Sequence, residues 1–538
     1  MAAIASTSFS LRSVAIRRRN YRLAFALGAS LLLAGCGTTS ILVTAERADQ
    51  IPATGIEPTV TTLPTDPGTT VSSEPSRNTS IDPIDPGDAM GDDDDNIAEI
   101  DPTMIDPDAI DFGDNKPPRP YDDFVLASFT DIEVWLEAEF EPAFGFPFEP
   151  LQGNVYAGYP ERTDPIPGCG EPVTSYEELQ QFVAFYCPTG DFIAYDDGDG
   201  LLGDLAKQFG PATISIVLAH EYGHALQQRT GVLRRNLPTV ASEQQADCVS
   251  GAWAGRAAAG DAPGIPFTDN DVRAGLTSMI TVQDPVGRDP NVPGGHGSGF
   301  DRVGAFQVGF QEGLARCAQL IDDPLPLTPL EFSQADIATG GNAPFGFEEN
   351  ELFGFLVPDL NLLFDNDFEA QFPNFAQLGL KSVQSAADVN CASPFGLFGL
   401  GVELCATTST VYLNEPIARE LYDEFGDFAP GYLLGVAWAE AAQISNGSTL
   451  TGEDRQLRND CLVGAWVQTV TPDPVTRELP TPRDPDRTSS ISPNDLTEAI
   501  RTAITIGDQT SDTNILGSPF EKIDAFRQGA LGGIDVCI

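Results

Sequence analysis

The string Asp247-Cys248-Val249-Ser250-Gly251-Ala252-Trp253 returns later in the chain as Asp460-Cys461-Leu462-Val463-Gly464-Ala465-Trp466. Two more blocks recur in the same order. Phe209-Gly210 with Gln227 matches Phe425-Gly426 with Gln443. Arg302-x-x-Ala305-Phe306-x-x-Gly309, followed by Cys317, matches Lys522-x-x-Ala525-Phe526-x-x-Gly529 and Cys537. A shared helical period does not reproduce cysteines, so the pattern reads as an internal duplication. The folding part then divides into two domains of ordinary size, 121–325 and 345–538.

The two copies differ in their chemistry. The chain has three histidines. Two of them lie in His220-Glu221-Tyr222-Gly223-His224, the H-E-x-x-H pattern. On a helix, positions i and i+4 share a face, so both imidazoles can grip one zinc ion. Glu221 between them is placed to take a proton from water at the metal. Apolar residues from Ile214 to Ala219 predict a buried helix that begins near Phe209-Gly210-Pro211 and stops at Thr230-Gly231. A second helix, from about Ser242 to Gly260, carries Glu243 and Asp247 four residues apart. Glu243 is the candidate third ligand, and Asp247 a candidate acceptor for a ligand imidazole N–H. The competing reading of this pair is an ordinary acidic helix start. His296, in a glycine-rich loop, is a candidate for stabilising an oxyanion; the plain alternative is a loop histidine without a role. Opposite His220, Glu221, His224, Glu243 and His296 the second copy has Val436, Ala437, Glu440, Gln456 and Leu516. It keeps the glycines, tryptophan and cysteines of the matched blocks, with Asp460 opposite Asp247, and lacks the proposed ligands, the general base and the loop histidine. One zinc per chain, in the first copy, is the expectation.

The cysteines divide the same way. Apart from Cys36, four (Cys169, Cys187, Cys248, Cys317) fall in one copy and four (Cys391, Cys405, Cys461, Cys537) in the other. Four cysteines allow three pairings, and sequence does not choose among them. The repeat favours Cys169–Cys187 with Cys248–Cys317, and Cys391–Cys405 with Cys461–Cys537. Disulfides imply an oxidising compartment. The N-terminus agrees: Arg17, Arg18, Arg19 and Arg22 precede an apolar stretch from Leu23 to Leu33, too short for an ordinary membrane span, and then Leu33-Ala34-Gly35-Cys36. This looks like a lipoprotein signal, with residues 1–36 as signal peptide and Cys36 lipidated. The alternatives are plain cleavage nearby or an uncleaved anchor. Residues 37–120 hold 18 acidic residues against 4 basic ones and many Pro and Thr, the composition of a disordered tether. The net charge of −50 argues against nucleic acid and against electrostatic attachment to anionic lipid.

With these residues in view, the chain resembles the bacterial neutral zinc metallopeptidase family. The resemblance rests on His220-Glu221-Tyr222-Gly223-His224-Ala225-Leu226-Gln227, the stretch Glu243 to Trp253, Phe185-Tyr186-Cys187-Pro188, and the His296-Gly297-Ser298 loop before Arg302. It covers about Ala127 to Ala318 and, degraded, Phe345 to Ile538. One departure is Ala225, where the family often has a further histidine; that position faces away from the i, i+4 pair. The resemblance implies a zincin-like fold with His220, His224 and Glu243 as ligands and Glu221 as general base. The expected fold class is therefore α+β, mainly helical, a zincin-like domain in tandem whose second copy lacks the zinc site. Short strands are expected at Phe182–Phe185, Phe192–Tyr195 and Thr407–Leu413. The expected activity is hydrolysis of peptide or protein substrates outside the cytoplasm, at a bacterial membrane or envelope. A different class, a non-catalytic envelope binding or assembly factor with structural or vestigial zinc, is the alternative; an intact Glu221 counts against it.

Overall fold

A computed structural model describes residues 100–538 except 101–102, 104, 199, 236, 285–294, 329–338, 392–396, 473–478, 481–482, 488, 490, 493 and 508–515. The candidate signal sequence with Cys36, and most of the acidic stretch, lie outside the described residues. Among the described residues no helix is long and apolar enough to cross a membrane.

The first half runs α1 (Asp122–Phe144), β1 (Val155–Gly158), a small hairpin β2 (Ile166–Pro167) and β3 (Val173–Thr174), α2 (Tyr176–Phe182), β4 (Ala184–Cys187), β5 (Phe192–Asp196), then α3 (Leu201–Phe209), α4 (Ala212–Thr230), α5 (Thr239–Ala258), α6 (Asp269–Thr281), α7 (Gly299–Glu312) and α8 (Leu314–Gln319). The second half runs α9 (Leu352–Leu362), β6 (Gly379–Val383), β7 (Val402–Cys405), β8 (Thr410–Asn414), α10 (Glu415–Phe425), α11 (Phe428–Ser445), α12 (Gly452–Val470), α13 (Asp495–Gly507) and α14 (Pro519–Gly532). The protein is mainly helical with small sheets, compatible with the expected α+β class. Each half has one three-stranded sheet of the same build. β5 lies between β1, parallel to it, and β4, antiparallel; β8 lies likewise between β6 and β7. In both sheets a cysteine ends the antiparallel edge strand, Cys187 opposite Phe192 and Cys405 opposite Thr410.

All four disulfides are the pairings that the repeat favours: Cys169–Cys187, Cys248–Cys317, Cys391–Cys405 and Cys461–Cys537. Glycines set the helix crossings beside them. A Cβ on Gly251 would overlap the Phe306 carbonyl, and one on Gly309 the Cys248 carbonyl. Gly464 and Gly529 stand in the same relation to Phe526 and Cys461. α5 and α7, and likewise α12 and α14, thus approach backbone to backbone, which only residues without a Cβ permit. The buried Trp253 donates from Nε1 to Asp131 of α1 at 3.1 Å, and Trp466 to Asp359 of α9 at 3.2 Å.

The halves share one continuous apolar core. Across their junction Gln307 Nε2 donates to the Phe520 carbonyl at 2.9 Å, and Arg527 donates to the Phe300 carbonyl. At the spacing that sets Arg302 opposite Lys522, Gln307 falls opposite Arg527 and Phe300 opposite Phe520, so these two hydrogen bonds are mirror partners. Phe300 packs on Phe526 and Phe310 on Phe520 beside them.

Three expectations need correction. Residues 105–120 do not belong to a disordered tether. Ile110 is buried, Asp111 pairs with Tyr156 at the edge of β1, and Lys116 bridges Asp122 and Asp197 at 2.9 and 2.7 Å. Pro and Asp dominate the composition there, yet Ile110 and Lys116, with Asp111 and Asp114 bonded to Arg162, Thr163 and Asp164, fasten it. Phe182–Phe185 is not one strand: the Ser175 side chain caps α2, which extends to Phe182, and Val183 at φ 66° turns the chain before β4. Thr407 and Thr408 form a turn that Ser409 closes at φ 47°, so β8 begins only at Thr410.

The glycine crossing yields a stability prediction. Gly309→Ala should lower the unfolding free energy by about 1–3 kcal/mol, as overpacking typically does, read as a fall in the thermal midpoint. An unchanged midpoint would mean that the crossing is looser than described.

Candidate metal centre

The site is built where α4 and α5 touch. α4 is buried along nearly its whole length and ends at Gly231, left-handed at φ 77°. A Cβ at Gly223 would come within 2.7 Å of Ala246 Cα, so glycine inside the H-E-x-x-H string lets α5 lie against the histidines. That contact delivers Glu243. Its carboxylate oxygens are 3.4 Å from His220 Nε2 and 3.6 Å from His224 Nε2. Ligand atoms of His220, His224 and Glu243 all lie within 4.8 Å of one another.

Both imidazoles are held by their other nitrogen. His220 Nδ1 is 2.7 Å from Asp247 Oδ1, a close approach bent away from the linear hydrogen-bond direction. Asp247 is itself clamped by Arg302, whose Nε and Nη2 donate to the two carboxylate oxygens at 2.9 and 2.8 Å. His224 Nδ1 is 3.0 Å from Gln227 Oε1, while Gln227 Nε2 donates to the Ser242 carbonyl at 2.6 Å. With its amide nitrogen so engaged, Gln227 presents an oxygen, and the neutral His224 must carry its proton on Nδ1. The same holds for His220 facing a carboxylate. In both neutral rings Nε2 then bears the lone pair directed towards Glu243, the tautomer that metal ligation requires. This assignment follows from the hydrogen-bond network.

The donors fit a zinc ion. His224 Nε2, Glu243 Oε2 and Glu221 Oε2 are buried and without a hydrogen-bond partner. Unpaired buried polar atoms cost free energy that a cation among them would remove. Two imidazoles and a carboxylate are a known catalytic zinc set, with a further position left for water. Without metal, the charges settle by proton. Burial draws the His220 imidazole down, but Asp247 and Glu243 outweigh it and raise it to about 10. Burial would raise Glu243, yet His224, His220 and His296 hold it well below the usual carboxylate range. Burial would likewise raise Asp247, but Arg302 and His220 outweigh it and lower it.

His296 therefore stands close enough for its charge to act on Glu243. Asp284 shapes its loop, accepting from the backbone N–H of His296 and of Gly297, both at 2.8 Å, with the His296 ring 3.6 Å from the other oxygen. His296 and His224 are the most accessible members, their side chains 20% and 12% exposed.

Four contributors were not given roles by the sequence. Gln227 and Arg302 appeared only as markers of the repeat. Their retention as Gln443 and Lys522 beside the retained Asp460 was the available signal. Asp284 and Gly223 carried no signal beyond their place next to the histidines.

In the second half the corresponding place is filled by organic cations. Glu440, opposite His224, receives Arg455 at 2.7–2.9 Å and Asn459 at 3.0 Å. Asp460 pairs with Lys522 and with the Tyr432 hydroxyl, each at 2.7 Å. Gln443 Nε2 still reaches a backbone carbonyl of the next helix, that of Arg455.

Comparison with known proteins agrees with this geometry. Residues 178–320 match the family model described as "Putative neutral zinc metallopeptidase". The chain is similar to the uncharacterized proteins Mb2605 of Mycobacterium bovis and Rv2575 of Mycobacterium tuberculosis, 34% identical over 169 residues in each case. These matches cover 27% of this chain and 55% of each relative, so the chain spans about half the length of the relatives it matches. No solved structure matches the chain.

Two outcomes are expected of this centre. Zinc must displace the His220 proton, so binding at pH 7 should release about one proton. Affinity should then fall as pH falls below about 10, by roughly tenfold per unit. Calorimetry in buffers of differing ionisation enthalpy measures this, and zinc uptake without proton release would contradict it. Gln227→Ala should weaken zinc binding by about 10–100-fold, measured by competition with a chelator.

Proposed function

We propose that this chain is an exported zinc metallopeptidase whose first half carries the active site and whose second half is a copy that has lost it. One observation carries the reading. Two Nε2 lone pairs and a carboxylate converge in a buried cluster, and Glu221, the acid between the two histidines in sequence, is itself buried with an unpartnered oxygen. A purely structural metal site has no use for that acid.

His220, His224 and Glu243 would hold one zinc per chain, which would supply Lewis acidity to a peptide carbonyl and lower the pKa of water towards neutrality. Glu221 takes the proton as water attacks the carbonyl carbon, and then delivers it to the leaving amine. Asp247 and Gln227 keep the ligand rings in the tautomer and orientation that this requires. His296, held by Asp284 on the accessible side, donates towards the oxyanion as it forms. Peptide or protein enters from the side of His224 and His296.

The same reading includes export, lipidation at Cys36 and a tether at a bacterial membrane or envelope. Four disulfides in the folded part suit such a compartment. In the second half, Arg455 and Lys522 neutralise Glu440 and Asp460, which supports a scaffold role that needs no zinc.

Glu221→Gln should lower turnover of a denatured protein substrate by at least about 100-fold, the lower range for loss of a general base. Zinc content should be unchanged. A variant with zinc and full activity would sink the mechanism.

A further inference from the structure

A second cluster of metal-type donors lies away from the centre described above, in the half that lacks it. Asp427 precedes α11, and Asp495 and Glu498 lie in the first turn of α13. One carboxylate oxygen from each falls within 4.8 Å of the others, and all three side chains are more than nine-tenths buried. Calcium holds oxygen ligands at about 2.3–2.6 Å, so ligands on one ion lie up to roughly 5 Å apart. The observed spacing fits inside that limit.

Neutral donors place these groups. Asp427 Oδ2 accepts from the Ala343 N–H at 2.8 Å. Asp495 accepts from the Ser492 N–H at 2.9 Å and from its hydroxyl. Glu498 accepts from the Phe428 N–H at 2.9 Å and from Asn494 Nδ2 at 2.7 Å. Asp427 Oδ1 accepts from none, although buried. An independent group points the same way. Ser489 comes from the segment between α12 and α13, and its Oγ is buried with no partner. It lines one small cavity of about 40 Å³ together with Asp427 and Asp495. That volume suffices for an ion or a water, since about 10–15 Å³ accommodates one. The rest of its lining is apolar, Leu356, Phe428, Trp466 and Ile491 among it.

We propose that Asp427, Asp495, Glu498 and Ser489 form a binding site for one hard divalent cation, calcium, in the second half of the chain. All the donors are oxygen, which selects the hard cations over zinc. Calcium is preferred to magnesium because it accepts irregular carboxylate and hydroxyl sets, whereas magnesium demands octahedral geometry and keeps its waters. The ion would do for this half what zinc would do for the other, tying α11, α13 and the segment before α13 to one point. Pro211 stands in the first half where Asp427 stands in the second, so the site belongs to the second half alone. Without a cation the cluster must hold protons. Burial and the Asp427 carboxylate raise Glu498 to about 8, and burial raises Asp427 to about 6.

The test uses the full chain at physiological salt, with calcium chloride or magnesium chloride alone as probe. Calorimetry should find one saturable calcium site per chain, and calcium should raise the thermal midpoint by several degrees. Asp495→Asn should weaken that site at least tenfold and abolish the thermal response, with zinc content unchanged. Both proteins carry the same acidic N-terminal stretch, so the difference between them isolates this site. Ser489→Ala, which removes no charge, should weaken calcium binding several-fold and serves if the first variant does not fold. An equal calcium response in the variants and the parent chain would overturn the proposal. So would the absence of a saturable site, which would leave shared protons as the sole occupants, or a tighter response to magnesium.

Discussion

The buried pair of Asp247 and Arg302 is the interaction on which the rest of the first half depends. It joins α5 to α7 in the interior, both side chains almost wholly excluded from water. Such a pair is weak as a source of net stability, because both ions lose their hydration, but removing one partner leaves an uncompensated charge. Its value here is positional. The carboxylate held by Arg302 still has an oxygen 2.7 Å from His220 Nδ1, so the ion pair fixes the ring of a candidate ligand. The glycine crossing holds α5 and α7 in register, and the Cys248–Cys317 disulfide ties α5 to α8, directly after α7. Packing, covalent linkage and electrostatics thus converge on one helix face, the one that also presents Glu243.

The second half shows what this frame does without a metal. Asp460 keeps its cation, now Lys522, and turns its free oxygen to the Tyr432 hydroxyl in place of an imidazole. Glu440 takes the guanidinium of Arg455. A buried carboxylate needs a positive partner, and the chain supplies one from its own side chains where the first half offers donors to an ion. The junction between the halves treats the two alike, through paired hydrogen bonds to the Phe300 and Phe520 carbonyls.

Much of this was legible in the sequence, and for a physical reason. The helix carrying His220, Glu221 and His224 was readable from its apolar run and its closing Gly231. The i, i+4 spacing alone put both imidazoles on one face. The recurring blocks favoured this disulfide pattern, because cysteines in matching places call for equivalent partners. Glu243 and Asp247 were readable as a face of the next helix, but their distance from the histidines was not. That distance depends on Gly223 meeting Ala246, a contact between helices that no periodicity reports. Gln227 sits three residues after His224 on the same helix, but its hold on the Ser242 carbonyl of α5 left no spacing rule, and neither did the bonds of Asp284 to the His296 loop. Composition misjudged residues 105–120, where Ile110 and Lys116 anchor a stretch otherwise rich in Pro and Asp. The cluster at Asp427, Asp495 and Glu498 escaped notice because its members are spread along the chain and resemble ordinary helix-start acids.

The central claim is that the two histidines and Glu243 bind one metal ion. Its most direct test is elemental analysis of the purified full chain beside His220→Ala and Glu243→Ala. The account predicts one zinc per chain in the parent protein and its loss in both variants, with the disulfide-bonded fold retained. A folded parent protein that takes up no zinc when zinc is supplied, or variants that keep it, would contradict the account.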